Sequence, residues 1–307
     1  MRELPVPEPP VGWVRIRVRA FGLNRSELVA RRGLPGDPVG FPRVLGAEAV
    51  GEVDLDSSGR FAQGQQVVAM TAGMGRLLDG GYAEYACFPI FALTPFSSTL
   101  NWAVLGAMPQ MFRAAHESLV AAVDLRRGQS VLVRGGTSSV GLATTLLAKQ
   151  LGATVLATTR DPGKLDLLRL HGVDHVFIDD GVVAPQVRDL FSDGVDSAVE
   201  LVGMATLPDT VRATRGTGTV CLTGSLGDER SPSPPGPVDV DSRGARVVVC
   251  SGDQSLCPQV FRGMIDDVEA GRLDVPIGRL YRIAEIAQAH RDMEADLICG
   301  KAVVVLD

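Results

Sequence analysis

Glycine, serine and threonine are concentrated in one turn of this 307-residue chain. Residues 131–160 read VLVRGGTSSVGLATTLLAKQLGATVLATTR: an apolar stretch, a turn of small residues, a helical pattern and a second apolar stretch. A β-α-β unit of about 30 residues with glycines at its first turn is typical of dinucleotide binding, because helix N–H groups and the helix dipole meet the pyrophosphate there. The stretch predicts a cofactor site at Gly136, Thr137, Ser138, Ser139, Val140 and Gly141.

The turn departs from the pattern G-x-G-x-x-G at its middle position. Between Gly136 and Gly141, Ser138 stands where the second glycine is expected. A serine must fit its Cβ beside the phosphate, and its hydroxyl and N–H are expected donors to that phosphate. An ordinary strand-to-helix turn is the alternative interpretation, and the second strand after the helix favours the dinucleotide site.

The end of that second strand indicates which dinucleotide binds. An NAD site usually places an acidic residue there for the ribose 2′-hydroxyl, whereas a 2′-phosphate requires cations. Here Arg160 follows the strand and Lys164 comes one turn later, which predicts NADPH. Asp161 argues against this, and a solvated helix start is the alternative role for the two cations.

Composition excludes several other classes of function. The formal net charge of −6 provides no basic surface for nucleic acid, and no apolar run approaches the length of a membrane span. The N-terminal MRELPVPEPP is charged and rich in proline, unlike a signal peptide, so we expect a cytoplasmic protein. The five cysteines and four histidines lack metal-ligand spacing, which predicts reduced, mostly buried thiols and no zinc site.

The periodicity of the chain changes near residue 101. Before it, short alternating stretches such as VRIRV, separated by turns, predict a small β-rich, barrel-like domain. After it, a helical pattern from Trp102 to Leu119 leads into repeating β-α units with near-continuous apolar strands, as a parallel sheet buried on both faces requires. We therefore predict a Rossmann doubly wound parallel sheet in residues 111–251, and a second domain from residues 1–110 and 252–307.

Several motifs together resemble the medium-chain dehydrogenase/reductase superfamily, and more narrowly its zinc-independent quinone oxidoreductase (zeta-crystallin-like) branch. They are FGLNRSEL, LGAEAVGEV, GGYAEY, GGTSSVGLATTLLAKQLGA, the proline-rich SPSPPGP and the terminal AHRDMEADLICGKAVVVL. The resemblance implies a GroES-like β-barrel catalytic domain beside the Rossmann domain, with NADPH and substrate in the cleft between them. It also implies a homodimer formed through the edge strand at Ala245 to Gly252.

Departures from the resemblance restrict the chemistry. Zinc-dependent relatives carry Gly-His-Glu where this chain has Gly46, Ala47 and Glu48, and they have a catalytic cysteine near Arg25. The four-cysteine structural lobe is also absent. These differences favour hydride transfer from NADPH to a quinone or an α,β-unsaturated carbonyl, which needs no Lewis acid. Similar proteins also open with a further strand, so the barrel is expected to lack an edge or the chain to start upstream.

The resemblance assigns roles to individual positions. Asn24 matches a residue on the nicotinamide side and is the first candidate donor to the developing oxyanion. Arg25 and Tyr82 are weaker catalytic candidates; Tyr82 and Tyr85 alternate as in a strand. Glu48 is acidic in the family even without zinc, and a hydrogen-bonded structural carboxylate is its alternative role. The remaining cofactor positions are Gly203, Thr223, Gly224, Ser225, Ser251, Gly252 and Lys301, the last of which could instead belong to a turn.

Two other functions remain open at this stage. An enoyl-thioester reductase of the same superfamily is the nearest alternative, although no basic cluster for a phosphopantetheine arm is evident. A cofactor-binding scaffold without redox turnover is favoured by Ser138 and by the short N-terminus. A zinc alcohol dehydrogenase is the least favoured, and the sequence does not indicate the substrate.

Overall fold

A computed structural model describes residues 2–33, 40–224, 244–250 and 256–306. The chain forms two compact units, one from Met1–Arg113 with Asp253–Asp307 and the other from Ala114–Gly252. Of the predicted loops, residues 34–39 and the proline-rich 231–237 lie outside the described residues. Within the described ranges, no helix combines the length and the apolar character that a membrane span requires.

Thirteen strands are present in the described residues. In chain order they are β1 (Trp13–Gly22), β2 (Ala49–Asp56), β3 (Gln66–Ala69), β4 (Tyr85–Pro89), β5 (Leu93–Pro95), β6 (Ser130–Arg134), β7 (Thr154–Thr159), β8 (His175–Ile178), β9 (Val195–Glu200), β10 (Thr214–Leu222), β11 (Arg246–Val249), β12 (Ile277–Arg282) and β13 (Lys301–Val305).

The same part of the chain forms eight α-helices. They are α1 (Arg25–Arg32), α2 (Trp102–His116), α3 (Ser139–Gln150), α4 (Leu165–Leu170), α5 (Ala184–Leu190), α6 (Leu207–Ala213), α7 (Pro258–Glu269) and α8 (Ile286–Glu294). Short 3₁₀ turns at Ile90–Ala92, Pro162–Lys164 and Ile283–Glu285, and a π-helical stretch at Glu117–Ala122, complete the set.

The first unit is built on a seven-stranded sheet ordered β12-β13-β1-β2-β3-β5, with β4 also paired to β1. The period-two pattern of VRIRV explains the central strand, since Val14, Ile16 and Val18 are at most 1% exposed and the arginines alternate with them. Gly51 lets β2 approach β1, because a Cβ there would clash with the Arg17 backbone. The predicted β-rich domain is thus confirmed.

The second unit contains a six-stranded parallel sheet ordered β11-β10-β9-β6-β7-β8. The strand order reverses between β6 and β9, which is the doubly wound Rossmann arrangement with its ligand crevice at the carboxyl ends of these strands. All five residues of β6 are buried, as expected for a parallel strand covered on both faces. The predicted Rossmann sheet is confirmed.

Candidate functional site

The glycines of the predicted cofactor turn serve packing between elements. A Cβ on Gly136 would lie 2.9 Å from the Ala157 Cβ on β7, and a Cβ on Gly141 would lie 2.5 Å from the Gly135 carbonyl oxygen. These two positions therefore allow the turn to lie against β7 and the first turn of α3 to lie against the preceding backbone. The twelve-residue α3 directs its N-terminal N–H groups toward the same turn, and the first of these have no acceptor within the helix.

Ser138 is the N-cap of α3, which differs from the role expected for its side chain. Its hydroxyl donates to the Gly135 carbonyl at 2.8 Å and accepts the Gly141 N–H at 3.1 Å. The Ser138 N–H also donates to the Gly135 carbonyl, at 3.2 Å. In this structure both donors of Ser138 bond the turn itself, and a phosphate contact from its hydroxyl and N–H stays a prediction.

We predict that Ser138→Ala destabilises the second unit by about 1 kcal/mol, because alanine cannot accept the Gly141 N–H. Ser138→Gly should cost only a few tenths of a kcal/mol, since glycine is a tolerated N-cap. Urea denaturation of both variants measures the difference. Equal stability of the two variants would contradict a capping role for the serine.

The two cations predicted to bind the 2′-phosphate lie just after β7. Arg160 is exposed, and Lys164 lies at the end of the Pro162–Lys164 turn with its side chain 24% exposed. Asp161, which argued against NADPH in the sequence, accepts the Gly163 N–H at 2.9 Å and lies 3.7 Å from the Lys164 Nζ. Its carboxylate thus stabilises this turn.

Three further predicted cofactor positions lie at the ends of β9 and β10. Gly203 has a φ of +122°, which favours glycine, and its N–H donates to the Glu200 side chain at 3.0 Å. Thr223 and Gly224 both donate their N–H groups to the Glu200 carbonyl. Ser225, Ser251 and Gly252 lie outside the described residues.

A buried charge network underlies the same strand ends. Arg134, the last residue of β6, is completely buried and bonds Asp179 through two nitrogens at 2.8 Å and Asp209 at 2.8 Å. Glu200 is fully buried too and accepts hydrogen bonds from the N–H groups of Val202 and Gly203. Burial raises the pKa of Glu200, while the Arg134 guanidinium helps lower the pKa of Asp179 against the opposing effect of its own burial.

In the first unit, the structure brings Asn24, Glu48 and Lys301 together although they are far apart in sequence. The Lys301 Nζ donates to the Glu48 Oε1 at 2.6 Å and to the Asn24 Oδ1 at 2.7 Å, while the Asn24 Nδ2 donates to the Glu48 Oε1 at 2.9 Å. Glu48 and Lys301 are fully buried, and Gly22 leaves space for them because a Cβ there would meet both side chains. A lysine can only donate and a carboxylate only accept, so the amide orientation of Asn24 is fixed.

A second chain of hydrogen bonds joins Tyr82 to this cluster. The Tyr82 hydroxyl donates to the Glu27 Oε2 at 2.6 Å and lies 3.2 Å from the His290 Nε2. The His290 Nδ1 lies 3.1 Å from an Arg31 nitrogen, which can only donate. His290 therefore carries its proton on Nε2 and donates it to Tyr82. The alternation of Tyr82 and Tyr85 predicted that both lie in one strand. Tyr82 lies before β4 and is not part of it.

Burial shifts the pKa values of Glu27, Tyr82 and His290. It raises the pKa of Glu27 and raises the pKa of Tyr82 well above its usual value, and the neighbouring Glu27 charge adds to the second shift. It lowers the pKa of His290 to about 4, with Arg31 as the next cause. At neutral pH the imidazole is thus neutral, as its two hydrogen bonds require.

We predict that stability falls as the pH drops from about 6.5 to about 4, because unfolded His290 binds a proton in this window and folded His290 does not. The contribution should be about 1–3 kcal/mol. The measurement compares urea denaturation at both ends of the window for the wild type and His290→Gln, in which the other titrating groups are retained. Identical pH slopes for the two proteins would contradict the prediction.

Arg25 lies apart from the contacts of Asn24. Its guanidinium bonds the Asp296 carboxylate at 2.7 Å and the Met293 carbonyl at 3.4 Å, at the end of α8. Within the described ranges, no three His, Cys, Asp or Glu side chains are grouped so that they could hold a metal ion. The Glu48 carboxylate instead has Lys301, Asn24 and the Gln110 N–H as partners.

Sequence analysis missed Glu27, Arg31, His290 and Arg134. Glu27 is three residues from Asn24, its carboxylate accepts the Asn24 N–H at 2.6 Å, and Asn24 is followed by a helix, so a capping pattern could have indicated it. Arg134 ends an apolar strand, and the acidic residues of neighbouring strand ends could have indicated its partners. For His290 and Arg31, which are 259 positions apart, no local signal exists.

Comparison with known proteins covers both units. The family model for the alcohol dehydrogenase GroES-like domain matches residues 10–98, and the model for zinc-binding dehydrogenase matches residues 139–269. The quinone oxidoreductase of Mus musculus is 28% identical over 300 residues, which cover 94% of this chain and 87% of the mouse protein.

Two solved structures share the fold. A mycobacterial protein in complex with NADPH is 26% identical with a TM-score of 0.85, covering 99% of this chain and 94% of that one. An NAD-dependent alcohol dehydrogenase is 27% identical with a TM-score of 0.85, covering 100% of this chain and 95% of that one. Relatives of similar likeness thus differ in their nucleotide.

Proposed function

Because this chain belongs to the medium-chain dehydrogenase/reductase superfamily, in its quinone oxidoreductase branch, we propose that it reduces a quinone or an α,β-unsaturated carbonyl with NADPH and without zinc. The chain is an oxidoreductase similar to quinone oxidoreductases. The nucleotide, the substrate class and the independence from zinc are the proposed parts.

The observation that carries the zinc-free mechanism is the set of partners around Glu48. Residue 47, beside it, is alanine and offers no ligand. The two carboxylate oxygens of Glu48 accept from the Lys301 ammonium, the Asn24 amide and the Gln110 N–H. A buried carboxylate that is neutralised by a lysine and saturated with hydrogen bonds is a poor metal ligand, because binding a metal would leave Lys301 buried and unpaired.

The second unit offers the groups that would hold the dinucleotide. The N–H groups at the start of α3 and the helix dipole suit the pyrophosphate. Arg160 and Lys164 supply positive charge for a 2′-phosphate, and the close-packed Gly136, Gly141 and Gly224 keep side chains away from the backbone at the strand ends. When bound, NADPH supplies the hydride. These residues fit the cofactor and favour NADPH over NADH.

Asn24 is the residue that we place on the nicotinamide side. It is half-buried, whereas its partners Glu48 and Lys301 have no exposed surface. Its amide oxygen accepts from Lys301 and its amide nitrogen donates to Glu48 and Glu27, so the side chain is pre-organised before any ligand arrives. Lys301 therefore acts through Asn24, as a positioning residue.

We predict that Asn24→Ala lowers kcat/KM for NADPH-dependent quinone reduction by about 10- to 100-fold, the size expected for loss of one hydrogen bond assisted by a charge. Separate kcat and KM values show whether turnover or binding is lost. Arg19→Met, which removes a partly exposed ion pair with Glu52, is the matched control in the same unit and should keep wild-type kinetics. Unchanged turnover in Asn24→Ala would sink the assignment.

We further propose a homodimer that pairs along β11 and a cytoplasmic location. In the described residues β11 is the edge of the six-stranded sheet, and Val249 on it is 43% exposed. An unpaired edge strand of this kind can pair with a second copy. Light scattering of the purified protein measures the oligomeric state.

The proposed cytoplasmic location is supported by the cysteines. None of the five cysteines forms a disulfide, as is usual for a reducing compartment.

A further inference from the structure

Two cysteines meet at the carboxyl ends of neighbouring strands in the second unit. Cys221 lies in β10 and Cys250 directly follows β11, which runs parallel to β10. The Cys250 N–H donates to the Leu222 carbonyl at 3.0 Å and so extends the pairing past the end of β11. The two sulfur atoms are 2.8 Å apart, only about 0.8 Å more than a disulfide bond requires.

The two thiols differ in access and surroundings. Cys221 is fully buried, whereas Cys250 is half-buried. The Thr223 hydroxyl lies 3.2 Å from the Cys221 sulfur, and the Ser118 hydroxyl lies 3.9 Å from the Cys250 sulfur. These hydroxyls and the second thiol surround the pair with hydrogen-bonding groups, which suits a thiolate better than an apolar pocket would.

The ionisation of the pair favours one order of reaction. The hydrogen bond from Cys221 lowers the pKa of Cys250, and the same hydrogen bond, with burial, raises the pKa of Cys221. Cys250 is therefore the thiol that ionises first and the one that a small oxidant can reach. Cys221 is placed to react with it afterwards.

We propose that Cys221 and Cys250 form a peroxide-sensitive thiol pair that closes to an intramolecular disulfide. The Cys250 thiolate attacks one oxygen of hydrogen peroxide, the O–O bond breaks, and a sulfenic acid and hydroxide form. The Cys221 sulfur then attacks the sulfenic sulfur and displaces hydroxide, which takes up the Cys221 proton and leaves as water. The proton that Cys250 released on ionising neutralises the hydroxide from the first step. Two thiols lose two electrons to one peroxide, which yields the disulfide and two waters.

The remaining cysteines provide internal controls. Cys87 is half-buried, its sulfur contacts the Pro7 carbonyl at 3.7 Å, and burial raises its pKa to about 11. Cys257 is exposed and contacts the Gln259 side chain at 3.3 Å. Mostly buried thiols were predicted, but only Cys221 is buried; Cys87, Cys250 and Cys299 are half-buried and Cys257 is exposed. An oxidant that reacts with whichever thiol is most exposed would therefore modify Cys257 first.

The test treats the purified full chain with one equivalent of hydrogen peroxide, alkylates the remaining thiols in denaturant and analyses non-reduced peptides by mass spectrometry. We expect loss of two of the five thiols, a cross-linked peptide joining Cys221 to Cys250, and recovery of both thiols with a dithiol reductant. The yield should not depend on protein concentration. In Cys221→Ser, Cys250 should stop at the sulfenic acid, which a dimedone probe traps.

The contrary results are also specific. If Cys257 alone is consumed, or if Cys221 and Cys250 remain alkylatable after peroxide has modified other thiols, the proposal is overturned. The matched variant Cys257→Ser leaves the pair untouched and should give the wild-type cross-link. This proposal depends on the geometry, access and ionisation of the two thiols, so its failure would leave the proposed reductase function standing.

Discussion

Replacing both Arg160 and Lys164 by alanine is expected to weaken NADPH binding by about 10²- to 10⁴-fold and to change NADH binding by no more than about twofold. Each charge-assisted hydrogen bond to a 2′-phosphate contributes about 1.5–3 kcal/mol, and NADH has no group at that position. The double variant should therefore lose its preference for NADPH over NADH, because only its affinity for NADPH falls. Fluorescence titration with each nucleotide, together with each single variant, measures the effect and its division between the two residues.

A neighbouring arginine serves as the control for this experiment. Arg169 belongs to α4, the helix that follows Lys164, and pairs with the exposed Asp166 at 2.8 Å. Arg169→Ala removes the same charge from the same part of the unit and should leave NADPH affinity within about twofold. The double variant could bind NADPH with wild-type affinity, or lose affinity for NADPH and NADH equally. Either result would mean that Arg160 and Lys164 do not bind the 2′-phosphate.

Arg134→Met should destabilise the protein by about 3–5 kcal/mol, the largest stability effect that we expect from one substitution. Methionine has similar length but no charge, so Asp179 and Asp209 would remain buried without their common partner. The hydrogen bond from Arg134 to the Thr210 hydroxyl would be lost too, and that hydroxyl itself bonds Glu200. Urea denaturation followed by circular dichroism measures the free energy of unfolding.

Arg126→Met is the matched control for this substitution. Arg126 also pairs with an aspartate, Asp124, but both side chains are well exposed, at 71% and 65%. An exposed pair of this kind contributes at most about 1 kcal/mol. A loss below about 1 kcal/mol in Arg134→Met would mean that the buried network tolerates unpaired carboxylates, contrary to this expectation.

The fold was predictable where local pattern and burial agree. The apolar run of β6, the small-residue turn and the helical period of α3 together require a strand, a turn and a helix, and one-sided burial explains the alternation in β1. Ser138 shows the limit of the motif. Its type suggested a phosphate donor, but a serine directly before a helix satisfies the helix N–H groups first.

The candidate site was predictable only in part. Asn24, Glu48, Tyr82 and Lys301 could each be selected from the sequence, and the structure joins them through hydrogen bonds that span up to 277 positions. Arg31 and His290, which fix the direction of the hydrogen bond to Tyr82, have no sequence signal, because helices α1 and α8 meet only in the folded unit. The contact between Cys221 and Cys250 likewise depends on strand order, which joins the last two strands of the sheet.

The most direct test of the proposed function is steady-state turnover by the wild-type protein, purified and assayed with a chelator. The assay follows nicotinamide absorbance with NADPH or NADH against a panel of quinones and enones, with zinc content measured in the same samples. We predict oxidation of NADPH by at least one quinone or enone, a clear preference over NADH, and no stoichiometric zinc. Turnover that requires bound zinc, or tight NADPH binding without oxidation by any member of the panel, would contradict a zinc-independent reductase.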